Sequence, residues 1–515
     1  MASWTARGGL VHRLPSKAVT AVWALVVFAP VLFLAAESAA GALADPRLLA
    51  LAVPAGRRLG LMVNTLGLSA AVALSAAAVG LFAGSALWEW DRGPWSRVRW
   101  IPLALAPVPP YIHALSWMTA LDLLGIPAVG WVPTFLVEFM AYLPLALGLS
   151  LVGFMGVDAQ LVEAARLSRP DGDVFTRVVV PLVAPALVAA AGLVFAFTAA
   201  DYSVPTLFSV NVYSLEVFSD FSATNQAARS MLLSMPILLV TLLVLWVSQS
   251  GLRSVVQRES SSRPAPRLTY PLWLGALRHL GLGVAGAQAL VLLVTLVSAS
   301  GSPGSLAYAV SSARGDIAFT VLQAAATAAL CVPLALVAGS RLSRGGSAWW
   351  LAALAPLAVP SPLVGISVLR LAGASGLLYG SWLTPVWGTL VRFTPVACLV
   401  ALAQLKRLDP QLFDAADVYG RTSRHSWLGV KLPLQAAGLA ASAALVFAFT
   451  VGEMGSTLLT VPPGSSTITI RVFNYLHYGG SDVVAGLCLV MAAAMAASGL
   501  IGLALFSQRS REGGG

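Results

Sequence analysis

Acidic side chains are scarce in this sequence, and five of them, with one arginine, stand in three pairs where chemistry is expected. Asp201, followed by Tyr202, closes the apolar stretch VVVPLVAPALVAAAGLVFAFTAA, and Glu453 closes GVKLPLQAAGLAASAALVFAFTVG. Carboxylate and phenol oxygens suit a hard cation, although a carboxylate at the end of an apolar helix is equally suited to cap the next loop or to sit solvated at an interface. Glu138 and Arg392 lie inside two further apolar runs. An ion pair between them would offset the burial of each charge, and Arg392 alone would attract an anion. The third pair is Glu163-Ala164-Ala165 and Asp414-Ala415-Ala416, each in a polar connection. An acid with two small residues on a short helix makes a docking element rather than a catalytic one. His113, Trp117 and Asn64 read as interface anchors or helix–helix hydrogen bonders, with Arg370 as a further pathway candidate.

The elements that position these residues follow from composition. The chain of 515 residues is 58% hydrophobic and 10% charged, too apolar for a soluble surface. Apolar runs of bilayer-crossing length recur throughout, which excludes the short alternating strands of an outer-membrane barrel. The fold class expected is an all-α polytopic membrane protein with about twelve spans, near 18–40, 59–87, 100–120, 131–155, 179–200, 228–250, 273–300, 317–340, 349–370, 385–405, 431–456 and 483–507. A signal peptide is the alternative for the first of these, but its apolar run exceeds a signal core, and a retained span is expected. Most of the 31 Lys and Arg fall in alternate connections. This places both termini in the cytoplasm and accounts for the net charge of +10 without nucleic acid. Cys331, Cys398 and Cys488 lie in apolar runs without metal or redox spacing.

The word LVFAFT occurs at 193–198 and again at 445–450, and its flanks stay in register. Pro181 pairs with Pro433, Asp201 with Glu453, Pro110 with Pro362, Pro144 with Pro395 and Glu163 with Asp414. The reading is two same-direction repeats of six spans, 1–250 and 273–515, joined by a polar, basic cytoplasmic linker at 251–272. The connections 156–178 and 406–430 then face the cytoplasm. In them Asp158 and Asp409 precede the acid-Ala-Ala segments, as capping residues would. Leu161, Val162, Leu412 and Phe413 are candidate apolar contacts, and Gly420 a helix stop.

These connections resemble the signature of the binding-protein-dependent ABC importer permeases: E-A-A, three residues, G, nine residues, I, one residue, L-P. Asp414-Ala415-Ala416, Gly420, Val430 and Leu432-Pro433 keep that spacing. The first copy departs from it, with Arg169 in the glycine position and one residue fewer before Pro181. The duplicated chain resembles the ferric-iron, thiamine and phosphonate group, and the loop from Gly452 looks most like the ferric-iron permeases. The resemblance implies a transport subunit, not an enzyme, in a bacterial inner membrane. It implies two ATP-binding subunits on the two docking loops and a substrate-binding protein outside, with ATP and Mg held by the partners and no cofactor in this chain.

The chain has only Lys17, Lys406 and Lys431, none after a glycine, so it lacks the Gly-Lys of a phosphate-binding loop. Ferric iron is the first substrate expected, with thiamine, phosphonate or another small anion as alternatives. An ion-coupled secondary carrier built from parallel repeats is the rival class. The external segments 201–227 and 457–482, with Tyr213, Phe218, Asn225, Phe473, Asn474, Tyr475 and His477, offer either a landing surface for the binding protein or a plain cover.

Overall fold

The computed structural model describes residues 17–90, 95–257, 267–342, 346–376, 378–408, 410–419, 423–478 and 481–508, and no strand occurs among them. α1 (Lys17–Ala44) and α2 (Arg57–Trp88) are followed by the short turns α3 (Trp95–Val98) and α4 (Ile101–Ala104), then by α5 (Pro110–Leu123) and α6 (Trp131–Met155). A polar connection holds α7 (Ala159–Arg166) and α8 (Asp171–Val174), and a π turn, Phe175–Val179, leads into α9 (Val180–Ala200). α10 (Ser203–Leu207) and α11 (Tyr213–Thr224) precede α12 (Ala227–Gln257).

Beyond the linker come α13 (Leu272–Ala299), α14 (Pro303–Ser312), α15 (Arg314–Leu342), α16 (Ser347–Leu354), α17 (Ser361–Ser375) and α18 (Leu383–Arg407). The second polar connection holds α19 (Pro410–Tyr419) and α20 (Ser423–Ser426), followed by the π turn Trp427–Lys431 and α21 (Leu432–Val451). α22 (Thr457–Thr460), α23 (Ile468–Tyr478) and α24 (Ser481–Gln508) complete the described chain. The short helices α8 and α20 and both π turns recur at the offset that separates the two copies of LVFAFT.

Ten of these helices are long and apolar enough to cross a membrane, so the protein is a multi-pass membrane protein. Two of the twelve continuous spans expected from sequence are broken instead. The stretch expected at 100–120 is split into α4 and α5, and the one at 349–370 bends by 94° between α16 and α17. Proline is the cause: APVPP at 106–110 and PLAVPSP at 356–362 remove backbone donors and push the preceding residues out of helical conformation.

α2 packs on α6 and α9, and α15 packs on α18 and α21 in the same order. α1, however, lies against α17 and α18, and α13 lies against α2 and α5. Trp23 and Val27 of α1 accordingly join a core with Leu354, Val386 and Phe393, while Leu274 and Ala285 of α13 join one with Leu151 and Phe154. α1 thus lies among helices late in the chain, and α13 against helices early in it. With hydrocarbon outside there is little hydrophobic drive between helices, and small residues permit the close approach instead. A Cβ added at Gly251 would stand 2.1 Å from the Pro185 carbonyl oxygen, and one at Gly192 would meet Ser248 Oγ at 1.9 Å.

Candidate functional site

The first polar connection forms the short helix α7, the docking element expected from sequence. Asp158 caps it, its Oδ1 accepting the Gln160 amide at 2.9 Å. Val162 is fully buried in the core beneath, whereas Leu161, Glu163, Ala164 and Leu167 face outward. In α19, Asp414 and Ala415 are exposed, Ala416 is buried, and Leu412, Val418 and Tyr419 point out. Asp409 and Gly420 lie outside the described residues. The first copy, with exposed Arg169 in the glycine place, stops its helix at Arg166.

The inter-repeat linker grips the chain just beyond α7. Asp171 Oδ2 accepts the Thr269 amide at 2.7 Å and the Thr269 hydroxyl at 2.6 Å, and Arg166 Nε donates to Oδ1 at 2.8 Å. Burial pushes the Asp171 carboxyl up, but the bonds from Thr269 and Arg166 outweigh it and hold the group below the ordinary carboxylate range. Next in the linker, the Tyr270 hydroxyl donates to Glu89 Oε1 at 2.6 Å. Arg278 of α13 pairs with Glu89 at 2.9 Å, bonds Ser85, and lies 3.7 Å over the Tyr270 ring. Nothing local in the sequence signals these contacts, because they join residues far apart in the chain.

Above each docking connection the chain passes through its π turn. The Val180 amide reaches Phe175 O and the Leu432 amide reaches Trp427 O, five residues back. Pro181 and Pro433 occupy the second position of the next helix, where a missing N–H is tolerated. The duplicated LVFAFT lies in that helix, and its last phenylalanine has a matched partner in each copy. Phe197 stacks on Tyr142 with centroids 6.2 Å apart, and Phe449 on Phe393 at 5.5 Å.

The five pathway candidates of the sequence, Glu138, Asp201, Tyr202, Arg392 and Glu453, come together at the far ends of α9 and α21. Asp201 caps the next turn, with Oδ1 accepting Ser203 N at 3.0 Å and Ser203 Oγ at 2.8 Å. Glu453, one methylene longer, reaches one residue further and accepts Ser456 N at 3.0 Å and Ser456 Oγ at 3.1 Å. Ser361 of α17 also donates to Glu453 Oε1.

The ion pair expected between Glu138 and Arg392 does not form. Arg392 Nε instead pairs with Glu453 Oε2 at 2.8 Å, both side chains largely buried, because α18 packs directly on α21. Glu138, fully buried on α6, lies against the Asp201 side chain. Tyr142 and Tyr202 share the electrostatic field of Asp201, Glu453 and Arg392. Three buried hydroxyls here are without partners: Tyr202 OH and, one turn before the carboxylates, Thr198 and Thr450 Oγ1. The two threonines end the duplicated word, a signal that the sequence carried and that inspection of charged residues passed over. Among the described residues, no group of three or more His, Cys, Asp or Glu converges to hold a metal ion.

The remaining candidates lie elsewhere. Arg370 is paired with Glu37 of α1. Asn64 donates to Asn211 O at 3.4 Å, and His113 and Trp117 are held in the packing of α5 with their ring nitrogens unbonded. Of the external residues, Tyr213 is not a landing residue. It is fully buried and its hydroxyl donates to Leu233 O at 2.8 Å. Phe218 stacks on Tyr202 at 5.4 Å, roofing the cluster, while Asn225 and Asn474 remain exposed.

No family model matches the chain. It is 32% identical over 237 residues to a probable molybdenum ABC transporter permease protein of Haloferax volcanii, an alignment covering 43% of this chain and 87% of that protein. It is 30% identical over 115 residues to the sulfate transport system permease protein of Escherichia coli, covering 20% of this chain and 41% of the relative. With the molybdenum transport system permease protein of Haemophilus influenzae it shares 25% identity over 150 residues, 26% of this chain and 66% of the other.

Proposed function

The chain belongs to the ABC transporter permeases, and from that premise we propose that it is the membrane subunit of an ATP-driven importer of a small oxyanion, of the size and charge of molybdate or sulfate. The subunit itself is not an enzyme. Two ATP-binding subunits, carrying ATP and Mg, engage α7 through Glu163-Ala164-Ala165 and α19 through Asp414-Ala415-Ala416. A substrate-binding protein engages the opposite end. The two repeats, 1–250 and 273–515, lie in an inner membrane with both termini cytoplasmic.

The observation that carries this reading is the cluster at the ends of α9 and α21, where the buried guanidinium of Arg392 shares its field with Tyr202, whose hydroxyl has no partner. Hydroxyls and a guanidinium donate hydrogen bonds, which an oxyanion accepts on all its oxygens. A ferric ion needs converging acceptors, and Asp201 and Glu453 are spent on caps and on Arg392. Oxyanion therefore replaces ferric iron as the preferred substrate. Arg392, held by Glu453 at rest, exchanges that partner for the anion in transit, while Glu138 and Asp201 keep the unoccupied path unattractive to anions. Movement of α7 and α19 reaches the cluster through the π turns and the helices α9 and α21.

The test is uptake by proteoliposomes containing the chain with its copurified ATP-binding subunits and binding protein. ATP-dependent accumulation of labelled molybdate or sulfate, lost in Arg392→Gln, is expected. Accumulation of ferric iron without oxyanion would overturn the substrate. Uptake driven by an ion gradient with no ATP-binding subunit present would overturn the mechanism in favour of a secondary carrier.

A further inference from the structure

At the end of the bundle where α12 runs into the linker, a cleft of about 440 Å³ opens between α12 and the start of α16. Trp246, Val247, Gln249, Ser250 and Arg253 line one wall and Ser347 the other. None of these is acidic, and Arg253 makes no ion pair among the described residues. Gln249 is 6% exposed, yet its Oε1 has no hydrogen-bond partner. The first amides of α16, an eight-residue helix, have no acceptor within the helix and present its positive end. Trp246 and Val247 stand 53% and 56% exposed on the outer flank, the position of side chains that meet the headgroup and upper acyl region of a bilayer.

We propose that this cleft binds the headgroup of an anionic phospholipid that carries both a phosphodiester and free hydroxyls, the chemistry of phosphatidylglycerol. The Arg253 guanidinium and the α16 amides neutralise and bond the phosphodiester oxygens. The buried Gln249 carbonyl requires a donor, and a glycerol hydroxyl supplies one, whereas a choline headgroup has neither a hydroxyl nor an N–H to offer. The open apolar flank formed by Trp246 and Val247 gives an acyl chain a continuous path from the cleft into the bilayer. For that reason the occupant is a lipid and not free phosphate. The site joins the last helix of the first repeat to α16, so an ordered lipid there fastens the two runs at their rim. It does not depend on which substrate the pathway carries.

Native mass spectrometry of the full-length chain in detergent, titrated separately with phosphatidylglycerol and phosphatidylcholine, tests this. Wild type is expected to retain phosphatidylglycerol roughly tenfold more tightly than phosphatidylcholine. Arg253→Gln and Gln249→Leu should each reduce that preference to twofold or less, and Arg47→Gln, distant from the cleft, should leave it intact. Equal retention of the two lipids by wild type, or an undiminished preference in Arg253→Gln, would overturn the site. Should either variant fail to fold, wild type challenged with millimolar inorganic phosphate decides. Retained lipid supports the proposal, and displacement by phosphate assigns the cleft to a free anion and refutes it.

Discussion

Replacing Asp171 with alanine isolates the contact by which the linker grips the first docking connection. The carboxylate accepts two hydrogen bonds from Thr269 and a third from Arg166. A hydrogen bond to a charged group is worth about 1.5–3 kcal/mol, so the two from Thr269 contribute about 3 kcal/mol at the lower end. The pairing with Arg166, 39% exposed, adds less than about 1 kcal/mol. Loss of about 3 kcal/mol is roughly two decades in a local opening equilibrium. Hydrogen exchange of the Thr269 amide, whose acceptor is Asp171 itself, should therefore accelerate about a hundredfold in Asp171→Ala, with amides of α6 unchanged. The same contact carries a pH dependence of known sign. The folded carboxyl lies below its ordinary value, so its contribution is complete above about pH 4 and is lost as pH falls through the folded value. A Thr269 protection factor, corrected for the intrinsic pH dependence of amide exchange, that is unaltered by the substitution or that declines as pH rises rather than falls would refute this account.

Glu453→Ala leaves the Arg392 guanidinium buried without its partner and should cost about 3–5 kcal/mol in unfolding measurements. Glu138→Gln replaces a buried carboxyl group beside Asp201 with an amide, and its melting temperature should equal or exceed that of wild type while uptake changes. Gly251→Ala forces a methyl against the Pro185 carbonyl and should destabilise by about 1–3 kcal/mol, visible as a lowered melting temperature in detergent. Glu163→Arg together with Asp414→Arg should abolish copurification of the ATP-binding subunits without lowering expression.

The matched packing of α2 on α6 and α9 and of α15 on α18 and α21 was legible in the duplicated word, because a recurring helix keeps its neighbours. Once LVFAFT fixed the offset, Asp201, Glu453, Pro181 and Pro433 fell into equivalent places, and Asp158 announced the cap of α7. The residue missing from the first signature is also placed. α8 and α20 share the offset of the π turns while Glu163 and Asp414 do not, so the loss lies between Arg166 and Asp171, where the linker contacts compensate. The broken spans were signalled by APVPP and PLAVPSP, but hydropathy averaged over a window merges two short helices into one long one. The pairing of Arg392 was not legible, because a one-dimensional pattern ranks two buried opposite charges as partners without knowing which helices touch. The linker contacts were hidden for the same reason, Thr269 and Asp171 being 98 residues apart.

The π turns at Phe175–Val179 and Trp427–Lys431 each hold one residue more per turn than the helix above them. Excising a single residue there would restore regular winding within the same revolution, so Glu163 or Asp414 should keep its azimuth relative to the aromatic stacks of Phe197 and Phe449. The same deletion made inside α9 or α21 should instead turn everything on the α7 or α19 side by about 100° around the helix axis. The surplus residue is thus absorbed where it stands, and the two sides of each π turn keep the facing of an unbroken helix.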